Sequence, residues 1–237
     1  MLDSGFSEVL KVESREDFRY EVIRFTTALG FNTVSALAVV DRGIGQSDFA
    51  AIDNAPPGYA EAINDPPSMR RDPVMQHCRR STVPIIWDQQ TYTELGMGEL
   101  WEEQAKFGYR TGIAMALHLP GGRHFALGVE RDRPLPEDRH ELTRLVADLQ
   151  LFVVHAQEAA LRILAPEARQ PERPLLTPRE LEVLRWTMEG KTAWEVGRIL
   201  GIAERTAVLH LHNAMHKLEC ASKHQAVLKA LRLGLIH

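Results

Sequence analysis

The chain has 237 residues, of which 44% are hydrophobic and 25% charged, as is usual for globular proteins with one large domain or two smaller ones. No apolar run approaches the roughly 18 residues of a membrane-spanning helix, and the N-terminal segment lacks the basic and apolar regions of a secretory signal. We therefore expect a cytoplasmic protein that does not enter a membrane. Its two cysteines, Cys78 and Cys220, fit neither a disulfide framework nor a zinc site, so we expect reduced thiols.

The net charge of −4 is distributed unevenly along the chain. Residues 1–170 carry 18 Lys and Arg against 25 Asp and Glu, whereas residues 171–237 carry 10 basic and 7 acidic side chains. A basic segment attached to an acidic one suggests that the C-terminal part meets a polyanion. Because residues 166–175 contain three prolines and no apolar period, we expect a linker there. We therefore predict one domain over residues 1–165 and a second over residues 176–237.

The first domain mixes helical and strand periodicity. Ser14 and Asp17 have the spacing of a helix start, and a long amphipathic helix is predicted over residues 136–164. Strands are predicted at residues 33–40, 111–119 and 125–129. The turn sequence Pro120-Gly121-Gly122 predicts a hairpin between the last two strands. Helices flanking an antiparallel sheet make an α+β fold, here an α-β-α sandwich, which can enclose a pocket between the sheet and one helical layer.

The second domain is predicted to be all helical. Three hydroxyl residues with an acid or amide three positions on have the spacing of capping boxes: Thr177 with Glu180, Thr192 with Glu195, and Ser222 with Gln225. A short helix over Thr192–Leu200, a turn over Gly201–Ala203 and a longer helix over Glu204–Leu218 make a helix-turn-helix. In that motif the second helix lies in the major groove of DNA, and its N-terminal residues face the base edges.

Contacts to DNA are expected from the start of the first helix and the exposed side of the second. The candidate residues are Lys191, Thr192, Arg205, Thr206, Val208, Leu209, His212, Asn213 and Lys217. An ordinary helical bundle with solvated charges is the alternative interpretation. His212 and His216 are four residues apart and would share a helix face, but no third ligand is evident, so we predict no metal site.

The segment 176–218 closely resembles the C-terminal module of LuxR-type quorum-sensing regulators; its sequence is LTPRELEVLRWTMEGKTAWEVGRILGIAERTAVLHLHNAMHKL. The matching positions lie in register along the whole segment: Glu180, Leu184, Gly190, Lys191, Thr192, Glu195, Val196, Arg205, Thr206, His210, Asn213, Lys217 and Leu218. The resemblance implies a transcription regulator that binds palindromic double-stranded DNA as a homodimer, with the final helix, residues 222–233, contributing to dimerisation. It leaves RNA polymerase open as a further partner.

Two positions of this module depart from the family pattern. Val208 stands where the family usually has Lys, and Ala203 stands where a Ser or Thr usually caps the second helix. Losing the Lys removes about one phosphate neutralisation, although a valine can contact a thymine methyl group. We therefore predict an altered or weaker operator preference.

The first domain resembles the autoinducer-binding domain of the same family, over motifs that span most of its length. The motifs are Arg71-Asp72-Pro73-Val74, Pro84-Ile85-Ile86-Trp87, the spaced set Trp101, Ala105, Gly108 and Gly112, and Gly121 in the hairpin. The resemblance implies an N-acyl homoserine lactone or a similar small apolar signal as ligand, and no other cofactor. Asp72 would accept the ligand amide N–H, and Trp87 would shape the lactone end. The candidate ligand-binding residues are Tyr59, Ile63, Asp72, Val74, Trp87, Trp101 and Gly128.

The polar end of this pocket departs from the family pattern more than the DNA-binding module does. Tyr59 stands where the family has the Trp that contacts the lactone, and Ile63 and Ala55 each stand where it has Tyr. Gly128 stands where a strand Ser or Thr commonly contacts the ligand. Two interpretations therefore stay open: a lactone receptor with altered preference, or a regulator that senses a different apolar signal or none.

Further alternatives concern single residues and the class of protein. Asp72 has a purely structural interpretation as a helix N-cap beside Pro73, and Trp87 and Trp101 as core aromatics. No catalytic or nucleotide-binding motif is present, so we predict that the chain is not an enzyme. A regulator without useful DNA affinity of its own, which inhibits relatives through mixed dimers, is the remaining alternative.

Overall fold

The computed structural model describes residues 6–43, 46–63, 71–164 and 174–237. The chain divides into two compact units, one built from the elements before residue 165 and the other from those after residue 173. The expected linker lies outside the described residues except for Pro174 and Leu175, so the domain bounds stay a prediction.

Five strands in the described part of the first unit form one antiparallel sheet in the order β2-β1-β5-β4-β3. Their bounds are β1 Thr33–Gly43, β2 Gln46–Asp53, β3 Ile85–Trp87, β4 Thr111–Leu119 and β5 Arg123–Arg131. The three predicted strands and the hairpin between β4 and β5 are confirmed. Strands β2 and β3 were not predicted, because β2 is a mostly exposed edge strand and β3 has only three residues.

Seven helices are described in this unit. They are α1 Glu8–Lys11, α2 Arg15–Ala28, α3 Tyr59–Ile63, α4 Pro73–Arg80, α5 Gln89–Thr93, α6 Gly98–Ala105 and α7 Arg139–Ile163. Helix α2 begins where the Ser14 hydroxyl accepts the Asp17 N–H, as the spacing predicts. Helices α2 and α7 contact each other and the sheet, and Phe25 of α2 stacks on Phe152 of α7 with ring centroids 4.0 Å apart. Their apolar residues form the main core on one face of the sheet.

The other face of the sheet is lined by small side chains. Cys78 of α4 packs there against Ala114 and Ala116 of β4. Because side chains alternate along a strand, Gly112 on β4 and Gly128 on β5 lie on this same face. The resulting architecture is a helical layer on each face of an antiparallel sheet, which confirms the α-β-α prediction.

The second unit consists of α8 Pro178–Met188, α9 Ala193–Leu200, α10 Glu204–Lys217 and α11 Lys223–Arg232. Thr177 and Thr192 both form complete capping boxes, with Glu180 and Glu195 as predicted. Ser222 caps α11 in the predicted way, but the Gln225 side chain accepts from the Ala221 N–H instead of completing a box. The core residues are Leu184, Ala214, Leu218, Ala226, Ala230 and Ile236. None of the helices in the described ranges is both long and apolar enough to cross a bilayer.

Candidate signal-binding site and DNA-reading helix

Asp72 uses its two carboxylate oxygens for different tasks. Oδ1 accepts from the backbone N–H groups of Val74 at 2.8 Å and Met75 at 2.9 Å, so Asp72 is the N-cap of α4. Oδ2 accepts from the Tyr92 hydroxyl at 3.0 Å and from Gln104 Nε2 at 3.3 Å. The helix-cap interpretation is therefore confirmed for one oxygen, while the other oxygen faces a buried polar cluster formed by α5 and α6.

An aromatic cluster surrounds this carboxylate. Tyr59 stacks on Tyr109 with ring centroids 4.1 Å apart, and Phe107 meets Tyr59 edge-on at 5.6 Å. Trp87 lies edge-on to Tyr92 at 5.8 Å. Stacked and edge-on aromatic pairs contribute about 0.5–1.5 kcal/mol beyond the area that they bury. Val74 and Trp101 pack against the same cluster, so four of the other six predicted ligand residues share one region with Asp72.

Burial changes the acidity of the phenols in this region. Burial raises the pKa of Tyr59, Tyr92 and Tyr109 above the ordinary value for tyrosine. The negative charge of Asp72 raises the pKa of Tyr92 further. All three hydroxyls are therefore protonated at neutral pH and can donate hydrogen bonds, as Tyr92 does to Asp72.

Gly112 allows Trp87 to pack closely against the sheet. A Cβ atom at position 112 would lie 2.6 Å from the carbonyl oxygen of Val129 and 2.7 Å from the Trp87 indole ring. Both distances are shorter than a side chain tolerates, so only glycine fits between β3 and β5 here. The Trp87 indole is buried, and its Nε1 has no hydrogen-bond partner among the described residues.

Gly128 makes room for Glu130. A Cβ atom at position 128 would lie 2.8 Å from Glu130 Oε1, so the Glu130 carboxyl occupies the space that a side chain at 128 would fill. Thr33 donates to the other oxygen, Oε2, at 3.1 Å. Burial raises the pKa of Glu130 to about 8, with the charge of Asp72 adding to the rise and the Thr33 hydrogen bond opposing it. Glu130 is therefore largely a neutral acid at pH 7.

Ile63 and Trp101 differ from the other predicted ligand residues in their surroundings. Ile63 is half-buried at the end of α3. Trp101 donates its indole N–H to the Arg110 carbonyl at 3.0 Å and also lines an open cleft of about 630 Å³ with Arg110 and Arg133. Asp72 and Glu130 do not line that cleft, so it is separate from the buried polar cluster.

The sequence predicted neither the polar residues Thr33, Tyr92, Gln104 and Glu130 nor the aromatic residues Phe107 and Tyr109. For Glu130 a signal was present, because it directly follows the predicted strand 125–129, and a strand that continues to it places Glu130 on the same face as Gly128. Tyr92 and Gln104 belong to short helices whose positions depend on the tertiary fold.

Helix α10 presents one continuous exposed stripe. Exposed residues recur along it at helical spacing: Glu204, Arg205, Val208, Leu209, His212, Asn213, His216 and Lys217. Ala207 and Ala214 are buried on the opposite side against the other helices. Ala203 is the N-cap and makes no side-chain hydrogen bond, as expected for alanine. Gly201 ends α9 in the left-handed conformation, with φ of 67°, which sets the turn between the two helices.

The remaining predicted DNA contacts lie around this stripe. Thr206 and Lys191 are half-buried, and Thr192 is exposed at the start of α9. The Lys217 ammonium contacts Glu180 Oε2 at 2.9 Å and the Leu175 carbonyl at 3.2 Å. A phosphate contact by Lys217 would therefore compete with bonds that tie α10 to α8. The described residues contain no group of three His, Cys, Asp or Glu side chains that could hold a metal ion.

Comparison with known proteins places both units in one family. The model of the autoinducer binding domain matches residues 14–160, and that of the luxR family of bacterial regulatory proteins matches residues 174–230. The chain therefore belongs to the LuxR-type quorum-sensing transcription regulators, with an autoinducer-binding domain and a helix-turn-helix DNA-binding domain.

Similar proteins span nearly the whole chain. The transcriptional activator SolR of Ralstonia nicotianae is 32% identical, over 94% of this chain and 93% of its own length. Escherichia coli SdiA is similar in structure, with a TM-score of 0.69 and 26% identity over 97% of this chain and 95% of that one. SdiA in complex with octanoyl-rac-glycerol gives a TM-score of 0.68 at 26% identity, over 97% of this chain and 93% of that one.

Proposed function

We propose that the first unit binds an N-acyl homoserine lactone or a related acyl signal, and that the protein then binds palindromic DNA as a homodimer in the cytoplasm. The observation that carries the ligand proposal is the buried Asp72 carboxylate, whose Oδ2 faces a cluster of hydroxyl and amide groups below the small-residue face of the sheet. A ligand amide that donates to this oxygen would match the role implied by the family resemblance. An acyl chain on Ala114, Ala116 and Ala126 would gain about 0.8 kcal/mol per buried CH₂ group.

A variant that keeps the helix cap separates the two tasks of Asp72. Asn is as good an N-cap as Asp, so Asp72→Asn preserves the start of α4 but removes the charged acceptor. We expect its affinity for N-octanoyl homoserine lactone to fall at least about tenfold, since hydrogen bonds to charged groups contribute about 1.5–3 kcal/mol. The measurement is calorimetric titration. Asp138→Asn, at the N-cap of α7, is the matched control and should bind as the wild type does.

The same titration with octanoyl glycerol tests the second candidate, a non-lactone acyl signal. The substitutions at Tyr59 and Gly128 favour this candidate, because both remove groups that the family uses on a lactone. Binding of octanoyl glycerol in preference to the lactone would establish it. A wild-type protein that binds neither probe, and that shows no thermal shift with either, would contradict both ligand proposals.

The exposed stripe of α10 supports the DNA proposal. Duplexes selected from a random pool by the purified, ligand-saturated protein should contain a palindrome. Arg205→Ala should weaken binding to that site by about tenfold or more, since a side chain that reads a base contributes roughly 1–3 kcal/mol. Arg179→Ala, which removes an exposed arginine paired with Glu182 on α8, is the control. A wild-type dimer that selects no sequence, yet suppresses binding by a relative, would instead support the inhibitor alternative.

A further inference from the structure

One row of paired residues across the sheet carries polar side chains, whereas the adjacent row carries only small ones. The strand registers pair Thr33 with Glu130, Glu130 with Gly112, and Gly112 with Trp87; we call these four residues the polar row. Directly paired residues of neighbouring strands project to the same face. The adjacent row on that face consists of Ser35, Gly128 and Ala114. These small residues place no bulky side chain next to the polar row, and the Glu130 carboxyl extends into the position that a side chain at 128 would fill.

The buried indole N–H of this row lacks a partner. Trp87 Nε1 has no acceptor within the described ranges, although Trp87 is only 3% exposed. Glu130 is 7% exposed, and Thr33 donates to its Oε2. Its other oxygen, Oε1, lies 2.8 Å from the position that a Cβ atom at 128 would take. Buried polar groups are usually hydrogen-bonded, so an unpartnered N–H in the same row as a buried carboxyl indicates a missing binding partner that accepts a hydrogen bond.

The protonation state decides what this partner must offer. The titratable groups that influence Glu130 or respond to it are Asp72, Tyr59 and Tyr109, and none of them is a cation. Burial raises the pKa of Glu130 to about 8, so at pH 7 its carboxyl carries a proton. Because Oε2 accepts from Thr33, the proton belongs on Oε1, where it can be donated. Glu130 and Trp87 are thus two donors that both require an acceptor oxygen.

We propose that the Glu130 O–H and the Trp87 N–H donate hydrogen bonds to acceptor oxygens at the polar end of the signal. They take the place of two hydrogen-bond donors that the family usually has: the Ser or Thr at the position of Gly128 and the Trp at the position of Tyr59. This inference rests on the proposed function and refines it. The signal must carry a lactone or ester carbonyl beside the group that Asp72 binds, and Glu130 sets its preference.

The pH dependence of affinity tests the role of Glu130. Wild-type affinity for N-octanoyl homoserine lactone should be constant up to about pH 7 and fall above pH 8, toward tenfold per pH unit, as Glu130 loses its proton. Glu130→Gln keeps a neutral donor, so its affinity should stay within about threefold of the wild type at pH 7 and show no fall. Because Glu130→Gln has no titratable group at position 130, it is also the control for any effect of alkaline pH on the ligand itself. Glu130→Ala should bind at least tenfold more weakly at every pH.

A second substitution tests the geometry independently. Gly128→Ser would push its side chain against Glu130 Oε1, so we expect a loss similar to that of Glu130→Ala. In the Glu130→Ala background the same serine should cause no further loss, because the obstructing carboxyl is gone. Trp87→Phe should lower affinity about tenfold while leaving the pH dependence of the wild type unchanged. Circular dichroism melting of each variant establishes that it is folded.

The outcomes separate this inference from the proposed function. A wild type that binds the lactone with a pH profile identical to that of Glu130→Gln, or a Glu130→Ala variant with full affinity, overturns the role of Glu130 alone. Additive losses for Gly128→Ser and Glu130→Ala overturn the shared-space argument. A wild type that binds neither the lactone nor octanoyl glycerol at any pH overturns the inference and the ligand proposal together.

Discussion

Both units begin helices at local caps, but the candidate site of the sheet unit joins elements that are distant in sequence. In the helical unit, α8, α9 and α11 begin at residues whose side chains bind the backbone three positions on, so short segments of sequence fix their starts. In the sheet unit, the polar cluster joins Asp72, Tyr92 and Gln104, which come from three separate elements. The helical unit has the more recognisable sequence, and the structural features that identify it depend less on distant residues than the site of the sheet unit does.

Glycine substitutions give the sharpest contrast between the units. Gly112→Ala should destabilise the sheet unit by about 3 kcal/mol, because its Cβ would overlap the Val129 carbonyl and the Trp87 ring. Gly190→Ala places a Cβ with no atom within 4 Å, so it should cost only about 1 kcal/mol for its left-handed backbone. Denaturant unfolding of the full chain measures both. Equal costs would contradict the distinction between distant and local constraints.

Glu180 is the exception in the helical unit, because it joins a local cap to a distant partner. Burial raises the pKa of Glu180, but hydrogen bonds from Lys217 and the Thr177 backbone lower it more, so the pKa lies below the ordinary value. Glu180→Gln should destabilise the unit by about 2 kcal/mol at pH 7. Glu182→Gln, at an exposed pair with Arg179, should change stability by less than about 0.5 kcal/mol.

The difference between the wild type and Glu180→Gln should depend on pH. A carboxyl whose pKa is lower in the folded chain contributes stability above its unfolded pKa of about 4.3, and this contribution is lost as pH falls through the folded pKa. The two proteins should therefore differ most near neutrality and converge on acidification below about pH 4. A difference that stays constant down to pH 3 would show that the charge of Glu180 is not what stabilises α8.

Ala203→Ser tests a purely local effect and should stabilise the helical unit. The N-cap of α10 has no side-chain hydrogen bond, and a serine would supply one to the first turn. The expected gain is about 1 kcal/mol in the free energy of unfolding. A matched Ala221→Ser variant, which lies outside the cap position of α11, should give no comparable gain.

Val208→Lys should have the smallest effect on stability, and its main effect should be on the salt dependence of DNA binding. Val208 is 49% exposed, so the substitution should alter unfolding by less than about 0.5 kcal/mol. One added phosphate contact should steepen the dependence of log affinity on log salt concentration by about 0.9. Fluorescence anisotropy on the selected duplex, across a range of salt concentrations, measures the slope. An unchanged slope and affinity would count against a groove-facing position for residue 208.

Features set by local sequence could be predicted, and features set by distant residues could not. Capping boxes, the glycine that ends α9 and the stripe of α10 are all contained within about one or two helical turns, so they could be predicted. The pairing of Lys217 with Glu180, which are 37 positions apart, could not, and Lys217 was expected to be free for DNA. Strand β2 was missed because an exposed edge strand lacks the alternation of apolar residues that marks a half-buried one.

In the sensor unit the sequence predicted the right neighbourhood but not its contacts. Asp72, Trp87 and Tyr59 were identified through motifs, whereas the hydrogen-bond partners of Asp72 depend on how α5 and α6 pack. The absence of a hydroxyl at Gly128 was visible in the sequence. That Glu130 fills the vacated space became evident only from the register of β5 and its neighbours.

The overlap between positions 128 and 130 constrains the order in which such receptors can evolve. Glu130 Oε1 lies 2.8 Å from where a Cβ at 128 would be, so a bulkier residue at 128 is tolerated only after the acid at 130 has shortened or turned away. In the opposite direction, a glycine at 128 lets a long acid at 130 occupy this position without turning away. Substitutions at 128 and 130 are therefore coupled, and the effect of one on signal preference should depend on which residue occupies the other.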